Sequence, residues 1–340
     1  MPTRTSAASG NWRADDADTW GLGADTYPAA GDHVVVAASH NVTLGEDNAC
    51  ATFSQQGGSG TESTLTLASH TLTVNSINGS NSRAIDIGNA NCNLADNTGT
   101  IKLGGGTTAS HILQGIEHWA DELQNVLIDA SANAPTYTLA GAMTVNGNLT
   151  ITDGILTTAN HALTVTLDIH IDGTLTGNTS AISARSVHID GTFTHNGVLT
   201  VTGIAATNYA FQNLGTWTPA TSQRTTFTGG AGTFYVKSND WNAVTIVANN
   251  SANYYFSPKT GTGITWTAYI TVTTGSMYQN ANGDSWVVGG NVLVSDDYLG
   301  VSTATGDLTF ASLTIASGAT YQATSGTTTT TNKNASGFAV

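Results

Sequence analysis

Apolar and polar residues alternate with a period of two along most of this chain. The stretches "STLTLASHTLTVNS" (63–76), "AMTVNGNLTITDGILTT" (142–158), "ALTVTLDIHIDGTLTG" (162–177) and "SVHIDGTFTHNGVLTVTG" (186–203) place an apolar residue at every second position. That is the period of a half-buried strand, whose successive side chains point to opposite faces. Thr and Val supply the β-branched bulk that strands favour. Asn-Gly, Asp-Gly and Gly-Asn pairs punctuate the runs and predict short strands joined by turns. One stretch, "ASHILQGIEHWADELQNV" (109–126), has helical spacing, but its counterpart "TFYVKSNDWNAVTIV" reads as strand, which weighs against a helix.

The strands repeat. A [Ser/Asn]-His-x-[Val/Leu]-Thr-[Leu/Val] pattern occurs at Ser39–Leu44, Ser69–Val74 and Asn160–Val165. Glycines after an apolar strand recur at Gly154, Gly173 and Gly191, in steps of 19 and 18. A β-solenoid rung takes roughly 20 residues and stacks about 4.8 Å from the next. A longer duplication has a period near 121 residues from Thr100 onward: Trp119 answers Trp241, Ser131-Ala132-Asn133 answers Ser251-Ala252-Asn253, and Gly154 answers Gly275. The predicted organisation is a cap with first strands over 1–47, a solenoid over 48–205, an aromatic-rich β unit over 206–290, terminal rungs over 291–326 and a polar tail over 327–340. The aromatic unit predicts either wider rungs or a departure from the solenoid.

Composition narrows the function classes. Charged residues make up 9% of the 340 residues, against roughly 25% in typical domains. Apolar content stays at 39%, which with the alternation predicts a folded chain. The net charge is −14, and the nine Lys and Arg are scattered. Without clustered cations to replace counterions on phosphates, neither nucleic acid nor an anionic membrane is an expected partner. The two cysteines, Cys50 and Cys92, fit two buried thiols better than a disulfide, although either is compatible with the sequence. The opening "MPTRTSAASGNW" lacks the apolar region of a signal peptide, and no run of 18 apolar residues marks a membrane span. An exterior-type composition without a leader predicts a particle assembled inside a cell and released by lysis. A mature chain that has lost its leader is the other reading.

Candidate chemistry starts with "HIDGT", present at His170–Thr174 and at His188–Thr192. His170, Asp172, His188 and Asp190 are ligand types for zinc or another divalent ion. Strand residues two apart project in parallel, however, whereas ligands must converge, so a structural repeat is the favoured reading. Ile171 and Ile189 are expected inside and the His and Asp outside. Polysaccharide cleavage needs a base beside carboxylates or a carboxylate pair. Arg185 is the only base near the aspartate beat, and the neighbours Asp15-Asp16 and Asp296-Asp297 would face opposite sides of a strand. No nucleophile elbow, P-loop, His-Glu-x-x-His or Cys-x-x-Cys occurs. Thr-x-Thr ladders lack the constant spacing of an ice-binding face. No cofactor is expected. The aromatics Trp217, Tyr235, Trp241, Tyr254, Tyr255, Trp266 and Trp286 are candidates for glycan contact, with core packing or a subunit interface as the alternative role.

Residues 9–47 carry a family resemblance. Trp12, a second tryptophan at Trp20, then Pro28, Gly31 and Asp32, then Val34–Val36 and Val42–Leu44 resemble the entry motif of bacterial and phage β-solenoid proteins, G8-like domains and strand-repeat adhesins. The resemblance covers 1–205 well and 222–326 loosely. It implies an all-β, right-handed parallel β-helix or β-solenoid with an N-terminal cap, in which the tryptophans cover the open apolar end of the first rung. It implies an adhesive or structural role and no catalytic residues. The expected protein is therefore a non-enzymatic component of a phage-type virion exterior: a head decoration protein, a fibre or a tail-tip adhesin. Its expected partners are other virion or surface proteins, further copies of itself (a trimer, by the resemblance) and a host glycan. A secreted bacterial adhesin and a carbohydrate-active β-helix enzyme are the alternatives.

Overall fold

The computed structural model describes residues 2–12, 19–21, 27–75, 83–105, 110–119, 123–130, 134–204, 209–248, 251–261, 263–279, 285–296, 298–301, 307–322 and 328–332. The chain is all-β, with parallel sheets stacked as a β-solenoid of about 11 turns. It divides into two compact units, Met1–Thr176 and Gly177–Val340.

In the first unit each turn lays one strand on each sheet beside the strand one turn earlier. One sheet runs through Thr3–Thr5, His33–Val36, Thr52–Gln55, Arg83–Ile87, Ser110–Gln114, Thr136–Leu139 and Ile155–Thr157, every neighbouring pair parallel. A shorter sheet holds Gly10–Asn11, Asn41–Thr43, Ser63–Ala68 and Cys92–Asn97. The alternation becomes columns of like residues. Val34 pairs with Phe53, Phe53 with Ile85, Ile85 with Leu113 and Leu113 with Leu139, and all five are buried. Each such side chain contributes about 1.5–3 kcal/mol on burial. The register also prevents slippage, because a shift of one residue would turn the apolar set outward.

Turn length is less regular than the glycine beat predicts. Leu156 pairs with Leu175, a step of 19, but Phe53 pairs with Ile85, a step of 32. Strand pairing fixes only the residues in the sheet, and the loops between them lengthen outside it at small entropic cost.

The duplicated stretch at 109–126 contains a strand, Ser110–Gln114, and one 3-10 turn, Ile116–Trp119, before the strand Asn125–Asp129. Among the described residues there is no α-helix, and none long and apolar enough to cross a membrane. Trp119 is fully buried, and its Nε1 donates to Gln55 Oε1 at 3.0 Å. The Gln55 Nε2 donates in turn to the carbonyls of Ser63 (2.8 Å) and Asn93 (3.0 Å), so this buried amide is satisfied. Both cysteines are free and buried, and burial next to the Asp32 charge pushes the Cys50 thiol well above its ordinary pKa.

The second unit keeps the solenoid path through the aromatic stretch. Tyr209–Asn213, Gly232–Lys237, Ala252–Ser257, Ser276–Gln279, Tyr298–Val301 and Thr320–Gln322 pair in parallel succession. Turn lengths here fall within the range of the first unit rather than exceeding it: Phe193 pairs with Trp217, a step of 24, and Tyr255 with Tyr278, a step of 23. Within the stretch read from the sequence as a polar tail, Thr328–Asn332 forms a strand parallel to Leu308–Ile315. The duplication has a structural counterpart at Gly154 and Gly275, both at left-handed φ of 91° and 83°, and at Trp119 and Trp241, both 0% exposed. Ser131-Ala132-Asn133 lies outside the described residues.

Candidate functional site

The two HIDGT copies fall in different units. In the first, Ile171 is fully buried beside Ile151, and His170 and Asp172 point outward. His170 Nε2 sits 3.3 Å from Asp172 Oδ1. In the second, Ile189 is fully buried, and His188 Nε2 sits 2.9 Å from Asp190 Oδ2. The isoleucines therefore take the inner positions that alternation assigns them. The side chains two apart do meet, contrary to the parallel projection predicted for a strand, because each strand ends at the isoleucine and the chain bends at the Asp-Gly step. Gly154 sits in this beat at a left-handed φ, which glycine adopts without cost. Gly173 is required for another reason: a Cβ there would lie 2.7 Å from the Gly154 carbonyl oxygen of the preceding turn.

The N-terminal motif is well packed. Trp12 and Trp20 meet edge to face at 5.3 Å, and Trp20 Nε1 donates to the Trp12 carbonyl at 2.9 Å. Trp12 also stacks on Phe53 at 6.5 Å. In Pro28–Asp32 the turn closes from both sides: Asp32 N–H donates to the Ala29 carbonyl, and Ala29 N–H donates to Asp32 Oδ2. Asp32, 5% exposed, also accepts from Arg4 Nε at 3.1 Å, which compensates the buried charge. Pro28 is buried, whereas Gly31 has open space around its Cα and no left-handed φ, so nothing here demands a glycine. Asp15-Asp16 lies outside the described residues, as does Asp297.

The aromatic candidates separate into two groups. Trp217, Trp241, Tyr254, Trp266 and Trp286 are buried. Trp241 contacts Phe211 (4.9 Å), Trp217 (4.7 Å) and Phe256 (5.8 Å), and Trp266 contacts Trp286 (5.0 Å). These rings occupy the core, the alternative role considered for them, and present no face to a ligand. Burial also raises the Tyr254 phenol to about 12, against a smaller opposing effect of the Gly229 N–H that it accepts at 2.8 Å. Tyr235 and Tyr255 stand outside. They belong to a ladder of half-buried phenols, with Tyr209–Tyr235 at 6.0 Å, Tyr235–Tyr255 at 5.9 Å, Tyr255–Tyr278 at 4.9 Å and Tyr278–Tyr298 at 5.0 Å. The last rung is displaced by two residues, since Tyr278 pairs with Gly300. The Tyr298 ring lies over the space that a side chain at Gly300 would need.

A concave surface lies elsewhere on the second unit, over Ile270–Thr274, Ser285–Val294 and Leu308–Ile315. Its volume is about 600 Å³, within the range of ligand sites, roughly 300–1,000 Å³. Thr271, Leu293 and Thr314 form one outward row across the three strands, and Asn291 and Ser312 form a second. Tyr269 precedes the first strand and makes no ring contact with another aromatic among the described residues. Ser312 Oγ donates to Asn291 Oδ1 at 2.6 Å, a bond that engages the amide oxygen of Asn291 and none of its N–H donors. The lining contains hydroxyls, an amide, a phenol and aliphatic carbon, and no charged side chain.

Sequence inspection missed this surface, although a signal was available. In a chain of period two, Val292-Leu293-Val294 is an unbroken apolar run, so one member must face out, and Leu293 is 37% exposed. Just before it, the pairing with Leu308–Ile315 shifts register between Val288 and Asn291. Gly289 and Gly290 permit the shift: a Cβ at Gly290 would lie 1.9 Å from the Ala268 carbonyl oxygen.

Comparison with protein-family profiles, with curated proteins and with solved structures finds no match.

Proposed function

We propose that this chain is a non-enzymatic structural protein exposed on the outside of a phage-type virion, as a head decoration protein, a fibre or a tail-tip adhesin. The observation that carries the reading is the contrast between the two sides of its strands. Inside are stacked aliphatic and aromatic columns, and outside are rows of Thr, Asn, Ser and Tyr with few charges. Stacked turns suit mechanical stiffness and resistance to proteases, because every interior strand is paired on both edges. A neutral polar exterior limits non-specific adhesion. The Trp12–Trp20 pair, with the turn closed by Asp32, suits the G8-like cap that the N-terminal motif resembles. Other virion proteins and further copies of the chain, in a trimer for example, are the partners this reading implies.

Two experiments test it. Immunogold labelling of intact particles from the source culture, with antibody to the purified chain, is expected to decorate the particle exterior. Absence of label on particles that contain the chain by mass spectrometry would overturn the location. Incubation with acidic polysaccharides is expected to give neither new reducing ends nor absorbance from unsaturated uronates. Turnover abolished by Asp172→Asn or Asp190→Asn would overturn the non-enzymatic reading.

A further inference from the structure

We propose that the concave surface over Ile270–Thr274, Ser285–Val294 and Leu308–Ile315 binds a neutral oligosaccharide, with Tyr269 as the stacking platform. The inference rests on the exterior role above, which gives such a surface something to meet.

The ligand class follows from what the surface offers. A sugar ring has an apolar C–H face and a rim of hydroxyls. It needs an aromatic or aliphatic plane beside hydrogen-bonding groups that both donate and accept. Tyr269 and Leu293 provide the apolar plane. The hydroxyls of Thr271, Ser312 and Thr314 and the oriented Asn291 amide provide the partners. Hydroxyls and amides serve as donor or acceptor, as a polyol requires. No cation lines the surface, and the chain carries a net charge of −14. An acidic glycan would find no counter-charge there and a repulsive field around it.

Geometry also distinguishes this surface from the tyrosine ladder. At centroid spacings of 4.9 and 5.0 Å, with interplanar angles of 15° and 29°, the faces of Tyr255 and Tyr278 are taken up by neighbouring rings. The ladder therefore offers edges and hydroxyls. The Tyr269 ring has no such neighbour among the described residues. The other lining positions lie on three adjacent paired strands, so their mutual spacing is set by the sheet, and Tyr269 immediately precedes the first of these strands.

The test uses the full chain and four probes, titrated by calorimetry: cellohexaose, maltohexaose, chitohexaose and the acidic hexagalacturonate. At least one neutral hexasaccharide is expected to bind saturably. Tyr269→Ala is expected to weaken that binding by at least about tenfold, Tyr269→Trp to retain it, and Asn291→Ala to weaken it less, by about threefold to tenfold. Tyr235→Phe, in the ladder, is expected to leave it unchanged. These positions face outward, and circular dichroism of each variant checks that the fold persists. The proposal fails if no neutral hexasaccharide binds, if hexagalacturonate binds more tightly, or if Tyr269→Ala binds as the parent does. It also fails if Tyr269→Ala alters only the sedimentation of the chain, which would make the surface a subunit contact. Particles labelled on the exterior but lacking sugar binding would sink this inference alone. Saturable binding by a chain absent from the exterior would sink the structural reading alone.

Discussion

Gly115 illustrates how a single backbone position constrains this fold. Its φ is 72°, and a Cβ there would lie 2.0 Å from the Ile87 carbonyl oxygen of the preceding turn. Both left-handed strain and a clash with backbone oppose any side chain. Gly115→Ala is expected to cost roughly 3 kcal/mol or more. Gly45→Ala, which meets nothing within 4 Å and has no left-handed φ, is expected to cost at most about 0.5 kcal/mol. Parallel thermal melts followed by circular dichroism check the pair, and equal melting temperatures for the two variants would contradict the account.

At the scale of an element, the outward tyrosine ladder is a line of coupled phenols. Burial raises the pKa of Tyr255, and the neighbouring phenols Tyr278 and Tyr235 add to the rise; burial and then Tyr278 do the same for Tyr298. A folded pKa above the unfolded value means that the unfolded chain loses its protons first as pH rises. The contribution to stability is thus whole below the unfolded value, about 10, and is lost as pH rises from there through the folded value. Tyr278→Phe removes one neighbouring charge from both rings. Absorbance titration of the phenolates is expected to show Tyr255 and Tyr298 ionising at lower pH in Tyr278→Phe than in the parent. An unchanged titration curve would mean that the rings do not sense one another.

Across the whole molecule the decisive quantity is charge. With nine cations against twenty-three carboxylates, self-repulsion outweighs the few ion pairs, of which Arg4–Asp32, Arg83–Asp86 and Lys102–Asp129 are examples. Exposed pairs contribute little in any case. Raising NaCl from about 0.02 to about 0.5 M screens both, and the melting temperature is expected to rise slightly or hold. A clear fall, measured by calorimetry, would show that attractive ion pairs outweigh the self-repulsion. The same imbalance underlies the preference for a neutral glycan, since a chain of this charge concentrates no anions at its surface.

The period-two alternation determined that the chain is built of half-buried strands, and the repeat spacing, with the N-terminal resemblance, pointed to their stacking as a solenoid. In a strand the side-chain direction is fixed by position, so Ile171 and Ile189 had to lie inside once the pattern was read. Two buried thiols were the favoured of two readings of Cys50 and Cys92, whereas the reciprocal hydrogen bonds that close the Pro28–Asp32 turn were not read from the motif. Turn length was not legible either, because loops lengthen outside the sheet without disturbing the pairing, as the 32-residue step from Phe53 to Ile85 shows. The roles of the aromatics were also undetermined: Trp241 and Tyr255 are equally aromatic in sequence, but one is enclosed by rings and the other stands in an outward row. The candidate site was the least visible feature, since Tyr269, Asn291, Leu293 and Ser312 share no motif and span more than forty residues. What brings them together is parallel register between successive turns, together with the shift allowed by Gly289 and Gly290. Side-chain direction is a local property that a sequence encodes directly. Which outward residues become neighbours depends on how many residues each turn takes, and only the tertiary structure decides that.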